Sequence, residues 1–267
     1  MTRVLSGAAL VLIAVAAVFF APPWLFLLIA EAIVVLAIRE YRTLASGLAA
    51  SAPWALADGV AMLACFVVAT EPVDGPSMIA PLLMTAVVAL GIVTVARWQG
   101  QSNALAAIAV TLFPTLYIGL PLGALVAIRQ QHGAEALFLL MFTIMVSDTS
   151  QYYTGRLFGR IPLAAAVSPK KTVEGAVGGL MIGTAALLIA GHWWLVQPVP
   201  VDPITRLSIG IVVVIAGIAG DLFESLLKRS AGVKDSSTLI PGHGGILDRI
   251  DALLFAAPVY FVALRFL

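Results

Sequence analysis

Apolar residues in this chain run in long unbroken stretches, not at the helical spacing that leaves one face wet. A bilayer crossing takes roughly 20 such residues, with a range of about 17 to 25. Nine stretches qualify, at about 4–20, 23–38, 54–70, 77–96, 104–128, 135–154, 173–195, 206–227 and 247–265. All nine are predicted as helices, because an isolated strand leaves its backbone groups unpaired in lipid. The predicted fold is therefore all-α, a polytopic membrane bundle. Pro114 and Pro121 fall inside the fifth span and predict a kink. Gly175, Gly178, Gly179 and Gly183 open the seventh, where small residues let helices approach closely. The first run also has the make-up of a signal peptide. A prolyl turn and a second apolar run follow it at once, so it reads as an uncleaved span.

Composition agrees. The chain is 61% hydrophobic and 11% charged, whereas soluble domains carry about a quarter charged residues. Net charge is +1, which gives no general attraction to nucleic acid. The one cysteine, Cys65, excludes an intrachain disulfide and reads as apolar packing. With the N-terminus inside, 12 of the 15 Lys and Arg residues fall at cytoplasmic ends and 3, Arg129, Arg206 and Arg265, outside. That asymmetry predicts a cytoplasmic N-terminus. The chain reads as a single membrane domain, 1–267. Residues 1–130 serve mainly as scaffold and lipid contact, and 135–267 carry the chemistry.

Charge is concentrated. Six charged residues lie between Asp148 and Glu174 and nine between Asp221 and Asp251, so 15 of 29 occupy 58 positions. Asp221, Ser225 and Lys228 share one helix face at the end of the eighth span. Glu224 and Lys228, four apart, can pair. A carboxylate at the depth of Asp221 needs a polar cavity, a cation or a partner. Asp248 and Asp251 stand three apart at the start of the ninth span. With Asp221 they can hold a hard divalent cation. Lys228, Arg229, Lys234 and Arg249 surround them, and His243-Gly244-Gly245 offers backbone donors beside an imidazole. Upstream, Ser168, Lys170, Lys171 and Thr172 are phosphate donors. No Walker-type GxxxxGK[ST] occurs. Taken singly, Lys228 and Arg229 read equally as topology residues, Asp248-Arg249 as a helix-end pair, and the Lys170-Lys171 loop as a connector. Glu31 and Asp58 lie within early spans, where interhelical hydrogen bonding and function both remain open. His132 and His192 lie toward the outer side, and Tyr152 and Tyr153 read as interfacial anchors.

The stretch from Ser225 to Asp251 resembles the signature of the phosphatidate cytidylyltransferases, or CDP-diacylglycerol synthases. The matching residues are Ser225, Lys228-Arg229, Lys234-Asp235, Ser237, Pro241, His243-Gly244-Gly245, Asp248-Arg249 and Asp251. The segment Ser168 to Gly175 is also similar to that family. A third, at Asp148, departs from its pattern, with Ser150 and Gln151 where small Gly and Ala are common. The resemblance implies transfer of the cytidylyl group from CTP to phosphatidic acid, with Mg2+ as cofactor and K+ as a second cation. It implies a catalytic set of Asp221, Lys228, Arg229, Lys234, Asp235, His243, Asp248 and Asp251. Asp221 and Asp248 would be the metal ligands, with Asp251 as companion. Phosphates would meet Ser168, Lys170, Lys171, Thr172, Ser225, Gly244, Gly245 and Arg249. It further implies a bacterial inner-membrane enzyme with a cytoplasmic site, and a homodimer. Two rival readings stay open: a cytidylyltransferase of another lipid phosphate, and a transporter using the acids as an ion path. Against the second, the charges gather at one membrane face rather than across facing helices.

Overall fold

A helix stands at each of the nine predicted positions in the computed structural model, which describes residues 2–48, 52–72, 75–97, 103–195, 201–237, 239 and 244–267. They are α1 (Thr2–Phe20), α2 (Pro23–Ala45), α3 (Trp54–Ala69), α4 (Ile79–Arg97), α5 (Ala104–Pro114), α6 (Leu120–Phe158), α7 (Val173–Trp194), α8 (Pro203–Ser230) and α9 (Leu247–Leu264). Local chemistry starts several of them. Asn103 caps α5 by accepting from Ala106 N–H. Asp202 caps α8 by accepting from Ile204 and Thr205 N–H, with Pro203 at the first helical position. These caps satisfy donors that the first helical turn leaves orphaned.

Three features differ from the sequence expectation. Pro114 lacks an N–H for the ladder, and a π turn at Thr115–Gly119 follows it before α6 begins. No loop separates the fifth and sixth predicted spans. Helical structure runs from Ala104 to Phe158, interrupted within α6 at Gly133 (φ 91°, ψ 166°), a conformation suited to glycine. Lastly, the loop expected after the sixth span contains an antiparallel hairpin, β1 (Pro162–Ala164) with β2 (Ser168–Thr172).

By length and apolar composition, four helical stretches among the described residues can cross a membrane: Ile79–Arg97, Ala104–Phe158, Val173–Trp194 and Pro203–Ser230. The second, at 55 residues, holds about 80 Å of helical rise in total, divided by the break at Gly133. Outward-facing Leu12, Ile13, Met84, Val88, Ile92, Ile189, Val212 and Ile215 are exposed. In water such a surface is a liability, and in lipid it is ordinary solvent contact.

Two apolar cores meet at α9. One gathers Leu137 and Leu140 of α6, Leu187 of α7, Val213 of α8, and Ala256 and Tyr260 of α9. The other gathers Val34 and Ile38 of α2, Cys65 of α3 and Ile118 of the π turn around Leu247 and Leu254 of α9. The expected glycine seam is present. A Cβ on Gly178 would run into the Thr154 side chain, and one on Gly183 would lie 2.8 Å from Ser147 Cβ, so α7 sits directly on α6. At the far end Arg129 Nε donates to the Val18 carbonyl at 2.6 Å, and the same guanidinium reaches that of Ala21. It thereby satisfies the orphan carbonyls of α1 with a cation.

Gly119 provides a test of this packing. A Cβ there would collide with the Ala61 backbone of α3, whereas one on Gly91 of α4 meets nothing within 4 Å. Gly119→Ala should destabilise the protein by about 1–3 kcal/mol. Gly91→Ala should be neutral or stabilising by up to about 1 kcal/mol. Thermal unfolding in detergent separates them, and equal midpoints would contradict the assigned contact.

Candidate active site at the α8–α9 junction

Lys228 lies in the last turns of α8, beside a carboxylate one helical turn earlier and another from the next helix. Its ammonium pairs with Glu224 and, at 2.6 Å, with Asp248 Oδ1. The Glu224 side chain is fully buried and that of Lys228 only 12% exposed. A single cation therefore neutralises two acids in a protected place. Burial of this kind is tolerable only with such pairing.

The other oxygen of Asp248 organises the loop. Oδ2 accepts from Gly245 N–H at 2.7 Å, Ser236 N–H at 3.0 Å and the Ser236 hydroxyl at 2.8 Å. The two glycines are required by space. Gly244 has φ +81°, and a Cβ there would stand 2.6 Å from Asp248 Oδ2. A Cβ on Gly245 would overlap Ser236 Oγ and Glu40 Oε2. The Gly245 N–H, expected to face a phosphate, is thus spent on Asp248. His243 and Pro241 lie outside the described residues.

A second group sits deeper along α8. Asp221 pairs with Lys171 of β2. Asp148 of α6 and Asp251 of α9 lie within electrostatic reach of Asp221 and of each other. Asp148 accepts from Gln151 at 3.0 Å. That glutamine occupies the place where the sequence departs from the family pattern, and it packs where Gly179 leaves room. Adjacent residues of a strand point to opposite faces. Accordingly Lys171 is turned to Asp221 while Lys170 is exposed. Both had been expected to meet phosphate.

The remaining predicted residues divide by what they already hold. Thr172 caps α7, its hydroxyl accepting from Gly175 N–H at 3.1 Å. Arg229 donates to the Val167 and Val233 carbonyls and so ties the hairpin to the end of α8. Ser168 and Ser225 are half-buried. Lys170, Lys234, Asp235 and Arg249 are exposed around the cluster. Among the described residues no three acid, imidazole or thiol groups are drawn together as a ready metal cage. Carboxylate oxygens, the ligand type a hard cation takes, are nonetheless near one another. Asp221 and Asp148 lie near Lys171, Asp251 lies within reach of both acids and of Lys228, and Asp248 Oδ1 sits on Lys228.

Sequence reasoning missed Glu40; it read the Glu224–Lys228 pair, which forms, and the cluster that begins at Asp148, but counted neither acid among the site residues. Glu40 of α2 is 5% exposed and accepts from Ser236, Ser237, Ile246 and Leu247. Its signal was an acid within an apolar helix, masked by the neighbouring Arg39 and Arg42. Asp58, singled out earlier, pairs with Arg42 at 2.8 Å, so its role is between helices.

The comparisons with known proteins bear on this geometry. A model described as "Cytidylyltransferase family" matches residues 1–267. The phosphatidate cytidylyltransferase of Bacillus subtilis (strain 168) is 40% identical over 154 residues, 57% of this chain and 56% of that protein. That of Helicobacter pylori (strain J99) is 36% identical over 156 residues, 58% of this chain and 57% of that protein. An uncharacterized protein, YnbB, of Escherichia coli (strain K12) is 41% identical over 136 residues, 51% of this chain and 44% of that protein. The chain thus spans about half the length of these curated relatives.

Removing the shared cation tests the arrangement. Lys228→Met leaves Glu224 and Asp248 without their ammonium and should cost about 3–5 kcal/mol, as for other buried pairs stripped of one partner. Adding Glu224→Gln should recover part of the loss. Unfolding midpoints in detergent read both, and an unchanged midpoint in the single variant would contradict the pairing.

Proposed function

The chain belongs to the cytidylyltransferase family, and from that premise we propose that it transfers the cytidylyl group of CTP to phosphatidic acid. The products are CDP-diacylglycerol and pyrophosphate. The observation that carries this reading is the α8–α9 junction. There, acids and cations converge beside a glycine loop whose residues match the cytidylyltransferase signature. Names of curated relatives support the same activity.

A phosphatidate oxygen attacks the α-phosphorus of CTP. One P–O bond forms, and the bond to the β-phosphate breaks as pyrophosphate leaves. The attacking oxygen needs no base, since a phosphate monoester loses its second proton near pH ~6. Both reactants are anions, so the work is chiefly electrostatic. Lys170 and Lys234, exposed at the rim, would meet phosphates, with Arg249 exposed beside them. Lys171 stands ready beside Asp221. Lys228 holds Asp248 in place. Asp221 and Asp251 would hold Mg2+, with Asp148 within reach and K+ as a second cation; Asp248 would join them through Oδ1 on displacing the Lys228 ammonium that now occupies it. Such a metal, when bound, neutralises the triphosphate and orients it.

The same reading takes all nine helical stretches as spans, with α6 divided at Gly133. It puts the N-terminus and the site on the cytoplasmic side of a bacterial inner membrane. The placement of 12 of 15 basic residues on that side supports it. CTP then arrives from water and phosphatidic acid from the bilayer. Association as a homodimer belongs to this reading by family analogy.

Purified protein in detergent, given phosphatidic acid and CTP labelled at the α-phosphate, should move label into lipid with Mg2+ and not with EDTA. Asp221→Asn should lower that rate by about 100-fold or more while leaving membrane insertion intact. Full activity in the variant would overturn its role at the metal. Absence of transfer by the wild type to any lipid phosphate would overturn the reaction.

A further inference from the structure

Glu40 occupies an unfavourable place for a carboxylate. It lies in the penultimate turn of α2, where the helix dipole disfavours negative charge, and it is only 5% exposed. Nothing in the transfer reaction calls for it. Its partners explain it. Oε1 accepts from the Ser237 hydroxyl at 2.7 Å and Ile246 N–H at 2.8 Å. Oε2 accepts from the Ser236 hydroxyl at 2.9 Å and Leu247 N–H at 2.9 Å. Each oxygen therefore takes one serine from the middle of the α8–α9 loop and one backbone donor from its junction with α9. All four donors are neutral, and all are about 200 residues distant in the chain.

Two further contacts make this more than a helix cap. The Ser236 hydroxyl is within hydrogen-bond range of both Glu40 Oε2 and Asp248 Oδ2. A hydroxyl has one proton, so it can donate to only one of the two carboxylates at a time. Gly245, whose N–H donates to Asp248, has no room for a side chain because Glu40 Oε2 and Ser236 Oγ press against its α-carbon. The donors on Asp248 thus depend on a side chain from the opposite half of the molecule.

We propose that Glu40 is a positioning residue that ties the middle of the α8–α9 loop to the start of α9 and thereby sets Ser236, Gly245 and Asp248 for the transfer step. The catalytic part of this inference rests on the proposed cytidylyl transfer, while the loop restraint does not. In Glu40→Gln the side chain keeps its size, but one acceptor oxygen becomes an NH2 group facing donors. Buried donors left without an acceptor weaken the arrangement by an amount equivalent to roughly ten-fold or more in an equilibrium.

The test uses full-length protein in detergent, restricted to the monodisperse folded fraction. Glu40→Gln should lower kcat per folded molecule about ten-fold or more, with KM for CTP changing by less than about three-fold. Tryptic cleavage after Lys234, at the exposed base of the loop, should accelerate about ten-fold. The Ser236→Ala/Ser237→Ala double variant should reproduce both effects, and adding Glu40→Gln to it should change little further. A merely structural role would reduce the yield of folded protein and leave kcat per folded molecule unchanged. Wild-type kcat or a wild-type cleavage rate in Glu40→Gln would overturn the inference. If the wild type itself transfers no cytidylyl group, the functional reading fails, and the cleavage rate alone decides the role of Glu40.

Discussion

A single ammonium held between two buried acids is the interaction on which this structure turns. Lys228 neutralises Glu224 on its own helix and Asp248 on the next, and so joins the end of α8 to the start of α9. Without it, two negative charges would face each other in a protected place at a cost larger than most single contacts can offset. With it, Asp248 is free to use its second oxygen to gather Ser236 and Gly245. The loop between the helices is therefore organised from a carboxylate outward, and its glycines follow from the crowding around that carboxylate.

The rest of the bundle serves to bring distant polar groups to this end. Glycine faces on α7 let it lie close against α6, which carries Asp148 toward Asp221 and Asp251. The hairpin running into α7 turns Lys171 to Asp221 and leaves Lys170 outward. Helix α9 joins two apolar cores and is anchored along its length, so its first turn has a fixed position. An apolar exterior and a charged end together suit the proposed reaction between a lipid phosphate and a water-soluble nucleotide.

Much of this was legible in the sequence. Long apolar runs marked where helices form, and four helical stretches among the described residues are long and apolar enough to cross a membrane, though the fifth and sixth runs join in one of them. Clustered charges and the Ser225–Asp251 pattern pointed to the α8–α9 junction, where acids and cations do gather. Harder to read were features set by tertiary contact. Gly133 interrupts a helix without the loop that was expected. The hairpin forms within residues that read only as a basic connector. Thr172 and Arg229, whose types suit phosphate, are engaged in a helix cap and a hairpin tie. Glu40 was invisible because its meaning depends on partners far along the chain, and two adjacent arginines made it look like a topology signal. Residue type told where charge would be needed, while the division of labour among the charges required the fold.

The central claim is that these acids form a metal-and-nucleotide site. Binding of Mn2+, substituting for Mg2+, can be followed by electron paramagnetic resonance in the presence of CTP on purified wild type and on the combined Asp221→Asn/Asp251→Asn variant. The account predicts tight, CTP-dependent uptake by the wild type and its loss in the folded variant. Equal uptake by both proteins would contradict it.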